Sequence, residues 1–252
     1  MCEVSTPFPG TIWRVSHPPI AVVTGVGRSV GIGAACASAL GSDGWRVATA
    51  GWRAYDDKMP WGADSEPISR FEVDLEDPTA PTQLFAEVHR DFGAAKALVM
   101  CHAESVDSSI TDTTVESFDR HFAVNARASW LLIKAFAEQF PGPPGTGRII
   151  AITSDHTPYN LPYGASKGAL DRIVRAAAVE LRDLGVTANV INPGPTDTGW
   201  MDPEITEQVL QRNLQPRIGT PDDCARLVSF LCSEAGQWVN GQLLYSDGGR
   251  LH

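Results

Sequence analysis

Seven short apolar runs, each separated from the next by a longer stretch, constrain this chain more than any other feature. The runs are Ile20–Thr24, Arg46–Ala50, Ser69–Val73, Ala97–Cys101, Arg148–Thr153, Thr187–Ile191 and Leu243–Tyr245. Helical patterns fall between them at Ile32–Gly41, Pro81–Phe92, Val115–Phe140, Gly164–Leu184 and Pro221–Cys232. Parallel strands need long crossovers, so strands alternating with helices imply a parallel sheet covered on both faces. The expectation is an α/β fold: a doubly wound parallel sheet of about seven strands in a single domain over residues 18–252, preceded by a flexible arm over 1–17.

Composition agrees with that architecture. A chain of 252 residues with 43% apolar residues suits one large domain with a sizeable core. The net charge of −10 argues against broad electrostatic binding to nucleic acid or anionic membranes. No apolar run approaches the roughly 20 residues of a membrane-spanning helix, and the Pro-rich first residues lack the centre of a secretory signal. Five cysteines, an odd number without metal-ligand spacing, fit a reduced cytoplasmic protein with no bound metal. Residues 52–68 interrupt the alternation as a polar, aromatic-containing insertion.

The turn TGVGRSVGIG, residues 24–33, joins the first strand to the first helix. Glycines there allow positive φ and let a pyrophosphate approach the backbone at a helix N-terminus. The position is the switch point where a Rossmann-type sheet binds a dinucleotide. The second strand ends in ATAGWRA, with Gly51 where a carboxylate for the ribose of NAD would be expected. Arg28 and Arg53 stand nearby to meet a 2′-phosphate, so NADP(H) is expected over NAD(H).

Ser154, Tyr163 and Lys167 carry the chemistry. Tyr163 and Lys167 are four apart, so on a helix they share a face. A free phenol is a poor base at neutral pH, and an adjacent ammonium is expected to lower its pKa toward the working range. Tyr163 then exchanges a proton with a carbonyl or alcohol oxygen, and Ser154 binds that oxygen from the strand end.

With these motifs in order, the chain resembles the short-chain dehydrogenase/reductase family over about residues 18–249. Thr24, Gly25, Gly31 and Gly33 match its glycine turn, which is two residues longer here. DLED (74–77), HFAVNARA (121–128), YGASK (163–167), NPGPTDT (192–198) and NGQLLYSDGG (240–249) match further segments. MPWG (59–62) and DTGWM (197–201) look like a bacterial branch often labelled 3-oxoacyl-carrier-protein reductases.

The resemblance implies catalytic roles for Ser154, Tyr163, Lys167 and Asn125, with Asn125 kinking its helix around a proton-relaying water. It implies cofactor contacts at Thr24, Gly25, Arg28, Gly31, Ile32, Gly33, Arg53, Asp74, Leu75, Ala103, Tyr163, Lys167, Pro193, Gly194, Thr196 and Thr198, with Asp74 on the adenine. Family members pair two long helices across a two-fold axis. A homodimer or homotetramer is therefore expected here, built on Trp130, Leu131, Phe136, Ile173, Val174 and Val179.

Two departures bear on function. The segment from Ser154 to Tyr163 is shorter than the family's, a tighter loop held by Pro158 and Pro162 that reshapes the pocket. After the fourth strand the family's NNAG reads CHAE, residues 101–104. That change is either drift or a placement of His102 and Glu104 near the nicotinamide, together with His156. Thr198–Arg217 is the expected lid, with Trp200 and Met201 as an apolar wall. The leading reading is an NADPH-dependent carbonyl reductase acting on a small carbonyl or alcohol. Imine or enoyl reduction, or a nucleotide-binding regulatory or scaffold protein without turnover, remain the alternatives.

Overall fold

A computed structural model describes residues 18–249 except 200 and 202. The arm expected over 1–17, and Trp200, lie outside the described residues. Seven strands form one parallel sheet: β1 (Ile20–Thr24), β2 (Arg46–Gly51), β3 (Phe71–Glu72), β4 (Ala97–Met100), β5 (Gly147–Ile152), β6 (Val186–Asn192) and β7 (Leu243–Tyr245). Their order is β3-β2-β1-β4-β5-β6-β7, so the direction of winding reverses between β1 and β4. A cleft opens beyond the strand ends at such a reversal.

The continuous apolar runs have a direct cause. Every residue of β1 and β5 is buried, because helices cover both faces. Alternate residues divide between two cores. Val22, Leu98 and Ile149 pack against α3 (Ala80–Asp91), α5 (Ala128–Gln139) and α6 (Leu161–Glu180). Val23, Val99 and Ile150 pack against α1 (Ile32–Ser42) and α8 (Pro221–Cys232). A two-residue period is what a strand buried on both sides imposes.

Several boundaries differ from the sequence reading. The helix expected over Val115–Phe140 is α4 (Val115–His121), a π-helical segment (Phe122–Arg127) and then α5. The π segment admits one extra residue per turn, and Asn125 sits within it. The insertion contains a short helix, α2 (Arg53–Asp56), and the expected lid contains α7 (Pro203–Arg212). Helix α6 begins at Leu161, ahead of Gly164.

The expected pairing surface also needs correction. Phe136 and Val174 are fully buried in the first core, Phe136 edge-on to Phe85, and neither can meet a second copy. Trp130 and Val179 do face outward. No described helix is long and apolar enough to cross a membrane.

Candidate active site

The cleft above β1 and β4 has a volume of about 620 Å³. Its floor is the glycine turn. Gly25 has φ +74, and a Cβ there would lie 2.4 Å from the Cys101 carbonyl carbon. A Cβ on Gly33 would lie 2.4 Å from the Gly25 oxygen, so α1 packs directly on the turn. Only glycine permits both approaches. The α1 N-terminus has no side-chain cap, which leaves its amides for an anion. This cradle fits a pyrophosphate.

The insertion closes one side of the turn. The Asp56 carboxylate fills the space beside Gly27, with Oδ2 2.1 Å from where a Cβ would stand. Trp61 Nε1 donates to Asp56 Oδ1 at 3.1 Å, and the Arg28 guanidinium lies 5.5 Å over the Trp61 ring. Ser29 N–H donates to Asp64 Oδ2 at 2.7 Å. Burial pushes the Asp56 carboxyl above its ordinary value, while the Trp61 bond and Arg28 act against that rise.

The glycine at 51 now has a steric reason: a Cβ there would lie 2.5 Å from the Val26 oxygen. The absent carboxylate therefore follows from packing and says little about the ribose. Arg28 lines the cleft as expected, but Arg53 does not. Helix α2 turns Arg53 toward Asp57, at 3.7 Å, and its amide donates to Glu72 Oε1. Asp74 is also off the cleft wall. Its Oδ1 accepts from Glu76 N–H, while Val73 and Leu75 line the wall beside it.

The CHAE segment follows β4. Cys36 packs against both Cys101 and Cys224; contact with Cys101, then Cys224, and burial hold the Cys36 thiol well above its ordinary value. His102 is clasped between two hydroxyls, Thr24 Oγ1 at 2.7 Å from Nδ1 and Ser129 Oγ at 3.2 Å from Nε2. Ser129 donates its own proton to the Asn125 carbonyl at 2.8 Å. Ser129 must then accept from Nε2–H, which leaves Nδ1 to accept from Thr24.

Burial, with help from Lys167, pushes the His102 pKa down to about 3. This neutral imidazole is a tie between the glycine turn and the start of α5, whose Ser129 bonds back to Asn125 in the π segment. It does not join His156, which is exposed at the cleft rim. Glu104 is buried, and burial raises its carboxyl. It lines the cleft, where Arg120 and Lys58 oppose that rise, Glu76 and Asp74 add to it, and its charge acts on Tyr55.

Asn125 does not line the cleft. Its side chain pins residue 104, accepting from the Glu104 N–H at 2.8 Å and donating to the Glu104 oxygen at 2.9 Å. Ser154, Tyr163 and Lys167 do converge on the cleft, with the Lys167 ammonium 5.7 Å from the Tyr163 ring centre. Lys167 Nζ donates to the Ile152 oxygen at 2.9 Å and the His102 oxygen at 3.4 Å. Burial pulls its pKa down to about 8.

One expectation is reversed here. Tyr163 keeps part of its ring open to the cleft, yet burial pushes its phenol up to about 12, with the Ser154 hydroxyl opposing the rise. The ammonium is anchored over the ring by two carbonyls and does not lower the phenol into the working range. Tyr163 is thus a protonated acid at neutral pH. Pro193, Gly194, Thr196, Thr198 and Met201 complete the far wall with α7. Among the described residues no group of three His, Cys, Asp or Glu side chains could hold a metal ion.

Comparison with known proteins places this cleft in its class. A family model described as enoyl-(acyl carrier protein) reductase matches residues 25–250. The chain belongs to the short-chain dehydrogenase/reductase family, and it is an NAD(P)-dependent oxidoreductase acting on a small molecule. It is 33% identical to the "uncharacterized oxidoreductase YjdA" of Bacillus subtilis, over 93% of this chain and 97% of that protein. It is 34% identical to "NADPH-dependent aldehyde reductase 2, chloroplastic" of Arabidopsis thaliana, over 94% and 97%. A blue fluorescent protein from a metagenomic library, solved with NADPH, superposes with a TM-score of 0.80 at 29% identity, over 92% of this chain and 98% of that one.

Proposed function

We propose that the protein reduces a carbonyl compound with NADPH. The observation that carries this reading is the convergence of Ser154, Tyr163 and Lys167 at one end of a cleft whose other end is the glycine cradle with Arg28. When bound, the nicotinamide supplies the hydride. Ser154 Oγ hydrogen-bonds the substrate oxygen, and Tyr163 delivers its proton to that oxygen as negative charge develops there. A phenol whose pKa burial raises is protonated at neutral pH and starts as the acid that carbonyl reduction requires. Lys167 places positive charge above the phenol ring and steadies the phenolate that remains.

NADP(H) is favoured by Arg28, which faces the cleft, stacked on Trp61. Asp56, bonded to the Trp61 N–H and facing Arg28, sets a carboxylate against a 2′-phosphate on the same side of the turn. The solved neighbour with NADPH and the relative named an NADPH-dependent aldehyde reductase support the same cofactor. In the same reading Arg53 and Asp74 stand near the adenosine end of the cofactor without lining the cleft. Assembly into a homodimer or homotetramer, through the faces bearing Trp130 and Val179, belongs to the same reading.

The test is NADPH consumption with a panel of aldehydes and ketones, alongside cofactor binding by fluorescence. Consumption with at least one carbonyl is expected. Tight NADPH binding without consumption of any panel member would leave imine or enoyl reduction, or a role without turnover.

A further inference from the structure

Glu104 stands where the family carries glycine; the residue is 6% exposed and lines the cleft. Its backbone is gripped at both the N–H and the oxygen by Asn125, whose Nδ2 also donates to Ser166 Oγ at 2.8 Å. Ser166 donates in turn to the Tyr163 oxygen at 2.8 Å, which ties residue 104 to the helix carrying Tyr163 and Lys167. The next residue is held as well. Ser105 N–H donates to the Tyr55 hydroxyl at 3.2 Å, and its Oγ accepts from Asn160 Nδ2 at 3.3 Å. The backbone that presents the Glu104 carboxylate is therefore fixed.

The carboxylate itself has no hydrogen bond and no ion pair among the described residues. Neither of its oxygens is sealed inside the protein, unlike the Asn160 amide oxygen, so a ligand in the cleft can reach them. The cations around it are engaged elsewhere. Arg120 Nε lies 3.3 Å from Glu76 Oε2, and Lys58 Nζ lies 5.3 Å from the centre of the Trp52 ring. Lys167 gives its protons to two carbonyls, and Arg212, on α7, lines the cleft without pairing with Glu104. Burial raises the Glu104 carboxyl in spite of Arg120 and Lys58, so neither supplies its counter-charge. A buried carboxylate without a cation disfavours the folded chain, and it can only accept hydrogen bonds.

We propose that Glu104 selects the substrate, its carboxylate receiving a protonated amino group carried on the same molecule as the carbonyl. An ammonium group brings both the missing donor and the missing charge. A neutral hydroxyl would bring the donor alone and leave the charge uncompensated. Asp107, which also lines the cleft, adds to the negative potential and disfavours anionic substrates. The substrate class is therefore amino aldehydes or amino ketones. The reduction of that carbonyl rests on the function proposed above; the binding preference does not.

Two ketones of the same shape test this directly: 4-(dimethylamino)butan-2-one, protonated at neutral pH, and the uncharged 5-methylhexan-2-one. Their affinities for the protein with NADP+ are to be measured by ligand-observed NMR, where no turnover is required. The aminoketone should bind about 10-fold or more tightly, the scale of one hydrogen bond to a charged group. Glu104→Gln keeps the shape and removes the charge, and it should bring the two affinities together. Glu104→Gly, which restores the family's residue, should do the same and keeps the idea testable if Glu104→Gln does not fold. Equal binding by the wild type, or an undiminished preference in either folded variant, would overturn the proposal. So would a Glu104→Gln protein that loses NADP+ affinity and keeps the ketone preference, since the carboxylate would then serve the cofactor. An amine preference in binding without NADPH consumption would keep the subsite and remove the carbonyl reading; consumption without preference would do the reverse.

Discussion

Replacing Lys167 with Met should make the protein more stable at neutral pH while abolishing its activity. The ammonium is 2% exposed, and burial pulls its pKa from 10.5 to about 8. A fall of that size corresponds to about 3 kcal/mol set against folding while the charge is present. Methionine has similar length and no charge. It leaves the carbonyls of Ile152 and His102 without their donor, a loss of about 1–2 kcal/mol. The net gain at neutral pH is then roughly 1–2 kcal/mol.

The pH dependence is the stricter check. Between about pH 8 and 10.5 the unfolded chain still holds the lysine proton that the folded chain has released, so wild-type stability from this group rises with pH. Below that window both states hold the proton and the contribution is flat. The advantage of Lys167→Met should therefore shrink by about 1.4 kcal/mol per pH unit above pH 8, and the two stabilities should cross near about pH 9. Urea unfolding of both proteins across this range measures the difference, in which other titrating groups largely cancel. A difference that does not change with pH, or a mutant less stable at neutral pH, would refute the argument that burial dominates at Lys167.

Tyr163→Phe should keep NADPH binding and lower turnover by about 100-fold or more, as read from steady-state kinetics. Arg28→Ala should weaken NADPH binding by fluorescence titration more than Arg53→Ala does, because only Arg28 lines the cleft. His102→Asn supplies one acceptor and one donor for Thr24 and Ser129 and should retain activity. His102→Leu leaves both hydroxyls without their ring partner and should lower the melting temperature as well as turnover. Light scattering at micromolar concentration should give a dimer or tetramer mass, and a monomer would remove the pairing of the Trp130 and Val179 faces.

The strands were readable because a sheet buried on both sides demands unbroken apolar runs, and IAVVT and GRIIAI provide them. The π segment was not, because one extra residue in a helical turn barely disturbs an apolar period already spread over Phe122–Arg127. Tyr163 and Lys167 were legible as a pair from helical spacing, but the direction of the phenol shift was not. It depends on how deeply the folded chain buries the phenol, which helical spacing does not show. Arg53 looked well placed by its closeness to β2 in sequence, and a single turn of helix carries it off to Asp57. His102 stood out as an anomaly, yet its partner Ser129 lies 27 residues away and carries no motif.

The meshing of the insertion with the glycine turn has a consequence for protein engineering. Asp56 occupies the volume that any side chain at Gly27 would need, Asp64 takes the Ser29 amide, and Trp61 supports Arg28. A shorter turn grafted from a relative would strip Asp64 of its amide and leave a buried carboxylate beside Trp61 facing an unfilled gap. Deleting the insertion while keeping the turn would expose the longer backbone to water and free Arg28 from its aromatic support. The unit of exchange for altering cofactor choice is thus both segments together, residues 24–33 with 52–68, and a chimera carrying only one of them should fold poorly before its cofactor preference can be measured.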